Sequence, residues 1–323
     1  MIDLLLLFVP FFALVLMGWG AARSGLLPLE GIGAMNTFVL FFGLPAMVFR
    51  LSASGALQQP GLLSLLLAYG LAGGLIGLLA LAWAGHAGLS RRDGGLVALV
   101  TAFPNTGFLG LPLLTGLLGP RAAGPVAATL VIDVLILSSL CLAWAHSKPE
   151  HGAHDDAWQA AQASLKGALR NPLLWSMAAG LAVSVVGVPV PHAADETLRL
   201  LSLSASPAAL FTLGAMLARS QMVEAPHAPL PAGRIALWAT LKLGAHPAAV
   251  WVFAQGLAVA GVSVPAEGLV TLMLAAALPS ASNVSMLAER EGANTALVAR
   301  IILWTTAAAL LTLSAWAAVL PRH

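Results

Sequence analysis

Long apolar runs separated by short polar, glycine- or proline-bearing connections set the pattern of this chain. Runs of bilayer-crossing length lie at about 3–22, 33–52, 61–84, 94–118, 122–146, 172–190, 197–218, 233–257, 267–288 and 296–319, and about 20 apolar residues in helical form cross the hydrocarbon core. They are too long and too continuously apolar for barrel strands, and open backbone cannot face lipid, so each predicts a helix. One connection is long. From Ala145 to Asn171 the chain holds Lys148, Glu150, Asp155, Asp156, Lys166 and Arg170, and it divides five predicted helices from five. The first run has Asp3 and no Lys or Arg before Arg23; a secretory signal would want a positive start, so the run reads as a retained span.

Composition turns this pattern into a class. The 323 residues are 59% hydrophobic and only 9% charged, where a soluble domain carries about 25% charge, which excludes a water-soluble protein. The length suits a compact all-helical polytopic membrane protein without a large soluble domain. Lys+Arg 15 against Asp+Glu 13 is close to balance and the basic residues are scattered through connections, so nucleic acid is not an expected partner. The single cysteine, Cys141, forms no internal disulfide, and no Cys/His cluster has ligand spacing; neither metal nor cofactor is expected. The odd-numbered connections hold nine cations: Arg23, Arg91, Arg92, Lys148, Lys166, Arg170, Arg219, Arg234 and Arg290. Even connections and tails hold four: Arg50, Arg121, Arg199 and Arg322. The positive-inside bias therefore predicts a multi-pass protein of the cell membrane, with both termini outside and the central connection in the cytoplasm.

An internal repeat is also visible. Pro45-Ala46-Met47-Val48-Phe49-Arg50-Leu51 and Pro207-Ala208-Ala209-Leu210-Phe211-Thr212-Leu213 both read P-A-x-x-F-x-L, 162 positions apart (45 to 207). The fourth and ninth predicted helices each carry a central proline followed by an asparagine, Pro104-Asn105 in one and Pro279 with Asn283 in the other. Five spans per half would place the second half upside down relative to the first, an inverted-topology repeat. A proline inside a membrane helix removes a backbone hydrogen bond and displaces a carbonyl. The stretches Thr101–Pro112 and Ala277–Ser285 are dense in proline, amide and hydroxyl groups, so both helices are expected to break. Two breaks at equivalent depth would bring half-helix N-termini together as an anion site. The competing reading is a pair of kinks whose Asn and Ser side chains bond neighbouring helices.

Charges inside the predicted spans cost about 2.5 to 3.5 kcal/mol at mid-helix. Asp133 is too short to snorkel from the middle of helix five. Lys242 in helix eight, with His246 four residues on and on the same face, is either a functional charge or a snorkelling lysine. Arg300 in helix ten reads as snorkelling, and His246 as an interior hydrogen-bonding residue or a proton carrier. No HExxH or GxGD motif is present, so the chain is not read as an enzyme.

Taken in order, Leu44-Pro45-Ala46, Asn105-Thr106-Gly107-Phe108-Leu109-Gly110-Leu111-Pro112, Asn171-Pro172, Pro207 to Gly214, Lys242 with His246-Pro247, and Leu278-Pro279-Ser280-Ala281-Ser282-Asn283 resemble the auxin efflux carrier family, whose bacterial members include permeases for malonate and similar acids. That resemblance covers nearly the whole chain. It implies ten helices in two inverted five-helix repeats with broken crossover helices four and nine. Scaffold helices one and two would occupy residues 1–55 and helices six and seven residues 171–222. A moving transport unit would take residues 56–146 and 223–323, with a cytoplasmic loop at 147–170. Asn105 and Asn283 would be the crossover asparagines that touch the substrate, within a substrate site of Pro45, Pro104, Asn105, Thr106, Pro279, Ser280, Ser282 and Asn283. Asp133, Lys242 and His246 form the candidate charge- or proton-coupling set. The implied activity is transport of a small organic acid anion, outward, with a cation/proton antiporter or a sodium-coupled symporter as the alternative. The implied partners are that anion, the lipid bilayer and a second copy joined through the scaffold helices. The short central connection departs from the plant members, so auxin itself is not implied. A lone central acid, Asp133, argues against sodium coupling.

Overall fold

The computed structural model describes residues 2–146, 162, 166, 169, 171–222 and 231–320. Of the central connection at 147–170 only three positions are described, so the expectation of a cytoplasmic loop there lies outside the described residues. The described chain is helical: α1 (Ile2–Arg23), α2 (Leu29–Phe38), α3 (Leu44–Ala53), α4 (Leu62–His86), α5 (Arg91–Ala102), α6 (Leu111–Leu118), α7 (Ala123–Val131), α8 (Ser138–His146), α9 (Pro172–Val186), α10 (His192–Met222), α11 (Ala232–Thr240), α12 (His246–Val259), α13 (Ala266–Ala276), α14 (Asn283–Arg290) and α15 (Thr295–Val319). Several of these join end to end, and among the described residues six continuous helices are long and apolar enough to cross a membrane, with shorter apolar helices beside them. This is a multi-pass membrane protein.

Local chemistry sets the helix ends. Asn171 accepts from the Leu173 N–H at 2.9 Å, ahead of Pro172 in the first turn, a strong N-terminal signal. Gly187, at φ +72°, closes α9 with its N–H on the Val183 carbonyl, so this helix ends before the predicted residue 190. The next helix outruns its predicted 197–218 because the polar turn at Asp195 is held by Arg50 of α3, which donates to both its carboxylate and its carbonyl.

Among the described residues four π turns interrupt the spans, at Val39–Gly43, Thr106–Gly110, Ile132–Leu137 and Leu241–Ala245. Three of them run directly into a helix whose first turn contains proline: Pro45, Pro112 and Pro247. Proline has no N–H and its ring collides with the carbonyl four residues back; a widened turn just before it moves that carbonyl aside. The freed carbonyl at Leu243 is satisfied by the Trp316 indole N–H at 2.9 Å. The turn at Ile132–Leu137 lacks a following proline, and there the Ser138 hydroxyl bonds the Asp133 carbonyl at 2.8 Å.

Packing follows glycine where helices touch most closely. A Cβ at Gly18 would lie 1.9 Å from the Phe211 carbonyl oxygen, and one at Gly214 would lie 1.8 Å from that of Val15, so α1 and α10 meet backbone to backbone. The helices α9 and α3 pack likewise. A second group is built from α4 against α5 and α12, α5 against α8, and α12 against α13. Large apolar side chains such as Leu63, Leu78, Phe41, Trp251 and Leu311 remain exposed, as a surface facing lipid requires.

Candidate functional site

The two sequence-predicted breaks meet. Helix α5 stops at Ala102 and α13 at Ala276, and each is followed by a short non-helical stretch before a new helix starts at Thr106 or Asn283. Pro104 and Ser280 form an isolated antiparallel bridge. The Asn105 N–H donates to the Pro279 carbonyl at 2.8 Å and the Ala281 N–H to the Phe103 carbonyl at 2.9 Å. The Ser280 N–H adds a bond to the Thr305 hydroxyl of α15 at 3.1 Å. Each break therefore supplies the backbone partners that the other one lost, which is what hydrocarbon demands of irregular backbone.

Backbone satisfaction leaves side chains spare. Asn105 Nδ2, Ser280 Oγ and Ser282 Oγ are buried without a hydrogen-bond partner, and all three residues are almost wholly enclosed. Donors without partners, beside the N-terminal ends at Thr106 and α14, make a neutral site with positive potential. It can hold an anion by hydrogen bonds alone.

Pro104, Asn105, Thr106, Pro279 and Ser280 are brought together here, and Ser282 follows two residues later. Asn283 occupies a different place from Asn105. The register pairs Asn105 with Pro279, and Asn283 stands at the first position of α14, partly exposed. Pro45 is buried in α3; its neighbour Leu44 lies against the position where a Gly107 side chain would project.

The charged candidates form a second cluster. Asp133 accepts from the Tyr69 hydroxyl at 2.9 and 3.0 Å. Lys242 Nζ lies 3.3 Å from His246 Nδ1 and donates to the Ala276 carbonyl at the end of α13. The Tyr69 and His246 rings face each other at 5.7 Å. All four residues are wholly buried, which corrects the snorkelling alternative for Lys242: its stem points at α13 and not at an interface, because the carbonyl end of a broken helix attracts a cation. Arg300 stays partly exposed. Sequence reasoning missed Tyr69 and Thr305. Tyr69 is the only tyrosine in the chain, and a phenol within an apolar run was the available signal; Thr305 had none.

Comparison with known proteins gives a consistent result. The model of a family described as membrane transport protein matches residues 4–317. A Rhizobium meliloti (strain 1021) protein named as a proposed malonate transporter is 26% identical over 289 residues, covering 88% of this chain and 86% of that protein. The uncharacterized transporter YfdV of Escherichia coli (strain K12) is 24% identical, over 87% of this chain and 86% of its own. An uncharacterized transporter of Methanothermobacter thermautotrophicus is 26% identical, over 95% of each chain.

Proposed function

The chain belongs to the membrane transport protein family, that of the auxin efflux carriers, and from this premise we propose that it is a secondary permease moving a small organic acid anion outward through the crossover. The observation that carries this reading is the set of unpartnered buried groups at the crossed breaks, Asn105 Nδ2, Ser280 Oγ and Ser282 Oγ. An uncharged, donor-bearing site selects an anion without trapping it, because no buried cation must be abandoned on release. The name of the Rhizobium meliloti relative makes malonate the first compound to try.

In this reading ten spans form two inverted repeats. The pairing of helices supports it: α1 with α10 mirrors α9 with α3, and α5 with α15 mirrors α13 with α7. Spans one, two, six and seven are the scaffold, joined to a second copy in a homodimer, and the remaining six carry the crossover past it in alternating access. The count of nine cations against four supports an orientation with both termini outside and the central connection in the cytoplasm. The family assignment also implies that the chain is not an enzyme.

A second reading, cation/proton antiport, is favoured by one observation: Asp133, Lys242 and His246 are all buried within the same group of helices, and intramembrane ionisable residues mark ion paths. Uptake into proteoliposomes of a panel of mono- and dicarboxylates, with and without proton and sodium gradients, separates the two. Carboxylate accumulation supports the permease; proton flux driven by Na⁺ alone, with no carboxylate transported, overturns it.

A further inference from the structure

Next to the crossover, the start of α14 faces the scaffold helices. Ser282, Ser285 and Met286 stand at i, i+3 and i+4 and share one face. Ser282 and Ser285 line a narrow crevice with Met216, Leu217 and Ser220 of α10. Met286 meets Asn36 of α2, whose Nδ2 lies 3.9 Å from its sulfur. Asn36 is 9% exposed and its Oδ1 has no partner.

This carboxamide is poorly served. One end is empty, and the other rests on a thioether, a weak acceptor. An apolar residue would fill the same space without the desolvation cost, so packing gives no account of an amide here. On α10, Thr212 Oγ1 is likewise buried without a partner, one turn before Met216. Thr212, Met216 and Ser220 stand at successive i, i+4 positions on α10, and the last two line the crevice.

We propose that Asn36 is the scaffold's own contact for the substrate carboxylate, and that Met286 is a removable plug holding its amide while this end of the path is closed. The inference rests on the crossover reading and extends it to a residue on the opposite body. An N–H donated to a carboxylate is far stronger than one donated to sulfur, so a carboxylate that reaches Asn36 displaces the methionine by chemistry alone. Methionine suits the part because its unbranched side chain repacks readily. As the moving unit shifts, α14 carries Met286 away and the Asn36 amide is left facing the path.

The test uses purified full-length protein and the carboxylate of the mono- and dicarboxylate panel that the wild type binds most tightly. Asn36→Leu should weaken binding by about tenfold while the melting temperature holds or rises, because an unsatisfied amide has been removed. Asn36→Asp keeps the shape but repels an anion, and should bind more weakly still. Met286→Leu should stay within about twofold of wild type. Wild-type affinity in both Asn36 variants overturns the proposal. Asn105→Ala, measured alongside, separates the two ideas. If it weakens binding and the Asn36 variants do not, only this inference falls; if neither changes affinity, or no carboxylate binds, the crossover reading falls with it. Should Asn36→Leu fail to insert, Asn36→Cys in a Cys141→Ala background gives the answer by maleimide labelling. A rate changed by the carboxylate supports the contact, and a rate indifferent to it refutes it.

Discussion

Asn105 has a backbone N–H committed to Pro279 and a buried side-chain Nδ2 without a partner. A hydrogen bond from that amide to a carboxylate is worth roughly 1.5 to 3 kcal/mol, so Asn105→Ala should lower substrate affinity by about tenfold or more. Asn283→Ala tests whether the start of α14 shares the ligand. If both touch one anion, calorimetric affinities of the two single variants and the double variant will show coupling in a double-mutant cycle. A purely structural amide would instead cost about 0.6 kcal/mol of stability, with affinity per folded molecule intact. Lys242 poses a different question, because it holds the Ala276 carbonyl at the end of a broken helix. Lys242→Gln retains a donor but removes the charge. Transport in proteoliposomes should fall at least about tenfold while membrane insertion stays normal, and unchanged transport would show that the charge has no part in the cycle.

Among the elements, the proline-linked π turns invite the clearest experiment. Pro247 leaves the Leu243 carbonyl without its helical donor, and Trp316 supplies one from α15. Trp316→Phe should destabilise the protein by about 0.6 kcal/mol or somewhat more, read as a lower melting temperature in detergent. In a Pro247→Ala background, which restores a backbone N–H, the same change should cost less. Equal costs in both backgrounds would mean that the indole only fills space. The contact between α1 and α10 is less forgiving. A methyl at Gly214 would sit 1.8 Å from the Val15 carbonyl oxygen, and backbone on both sides cannot yield as a side chain can. Gly214→Ala should therefore cost about 1 to 3 kcal/mol, seen as reduced monodisperse yield and an earlier melt.

For the molecule as a whole, orientation and acid stability are both measurable. Reporter fusions after Gly152 should report cytoplasm and fusions at His323 the outside, given the distribution of cations; both positions on the same side would contradict the five-plus-five inverted arrangement. Glu291 lies in the connection between α14 and α15 and joins them to the end of α8. Partial burial alone would raise its carboxyl, but hydrogen bonds from Arg290 and His146 outweigh that and hold it below the usual carboxylate range. A depressed carboxylate contributes stability that is present above its unfolded value and is lost as pH falls through its folded one. Melting temperature should accordingly decline on acidification, and Glu291→Gln should flatten that decline while lowering the plateau near neutral pH.

The membrane-spanning class, the helical elements and the positions of the breaks are all written in the chain itself. Hydrocarbon allows one backbone solution to long apolar runs, and proline beside amides and hydroxyls disrupts that solution wherever it occurs. Lys242 and His246 could likewise be placed on one face from their spacing alone. Partners across the fold were not readable in this way. That Asn105 pairs with Pro279 while Asn283 begins a helix beyond, that Tyr69 serves Asp133, that Lys242 turns to Ala276 and away from the interface, and that Asn36 rests on Met286 all depend on helix rotation and depth. Those are fixed by close contacts such as Gly18 and Gly214 against facing carbonyls. A one-dimensional pattern shows which groups need a partner; only the packed helices decide which partner each one meets, because a few degrees of rotation exchange one neighbour for another.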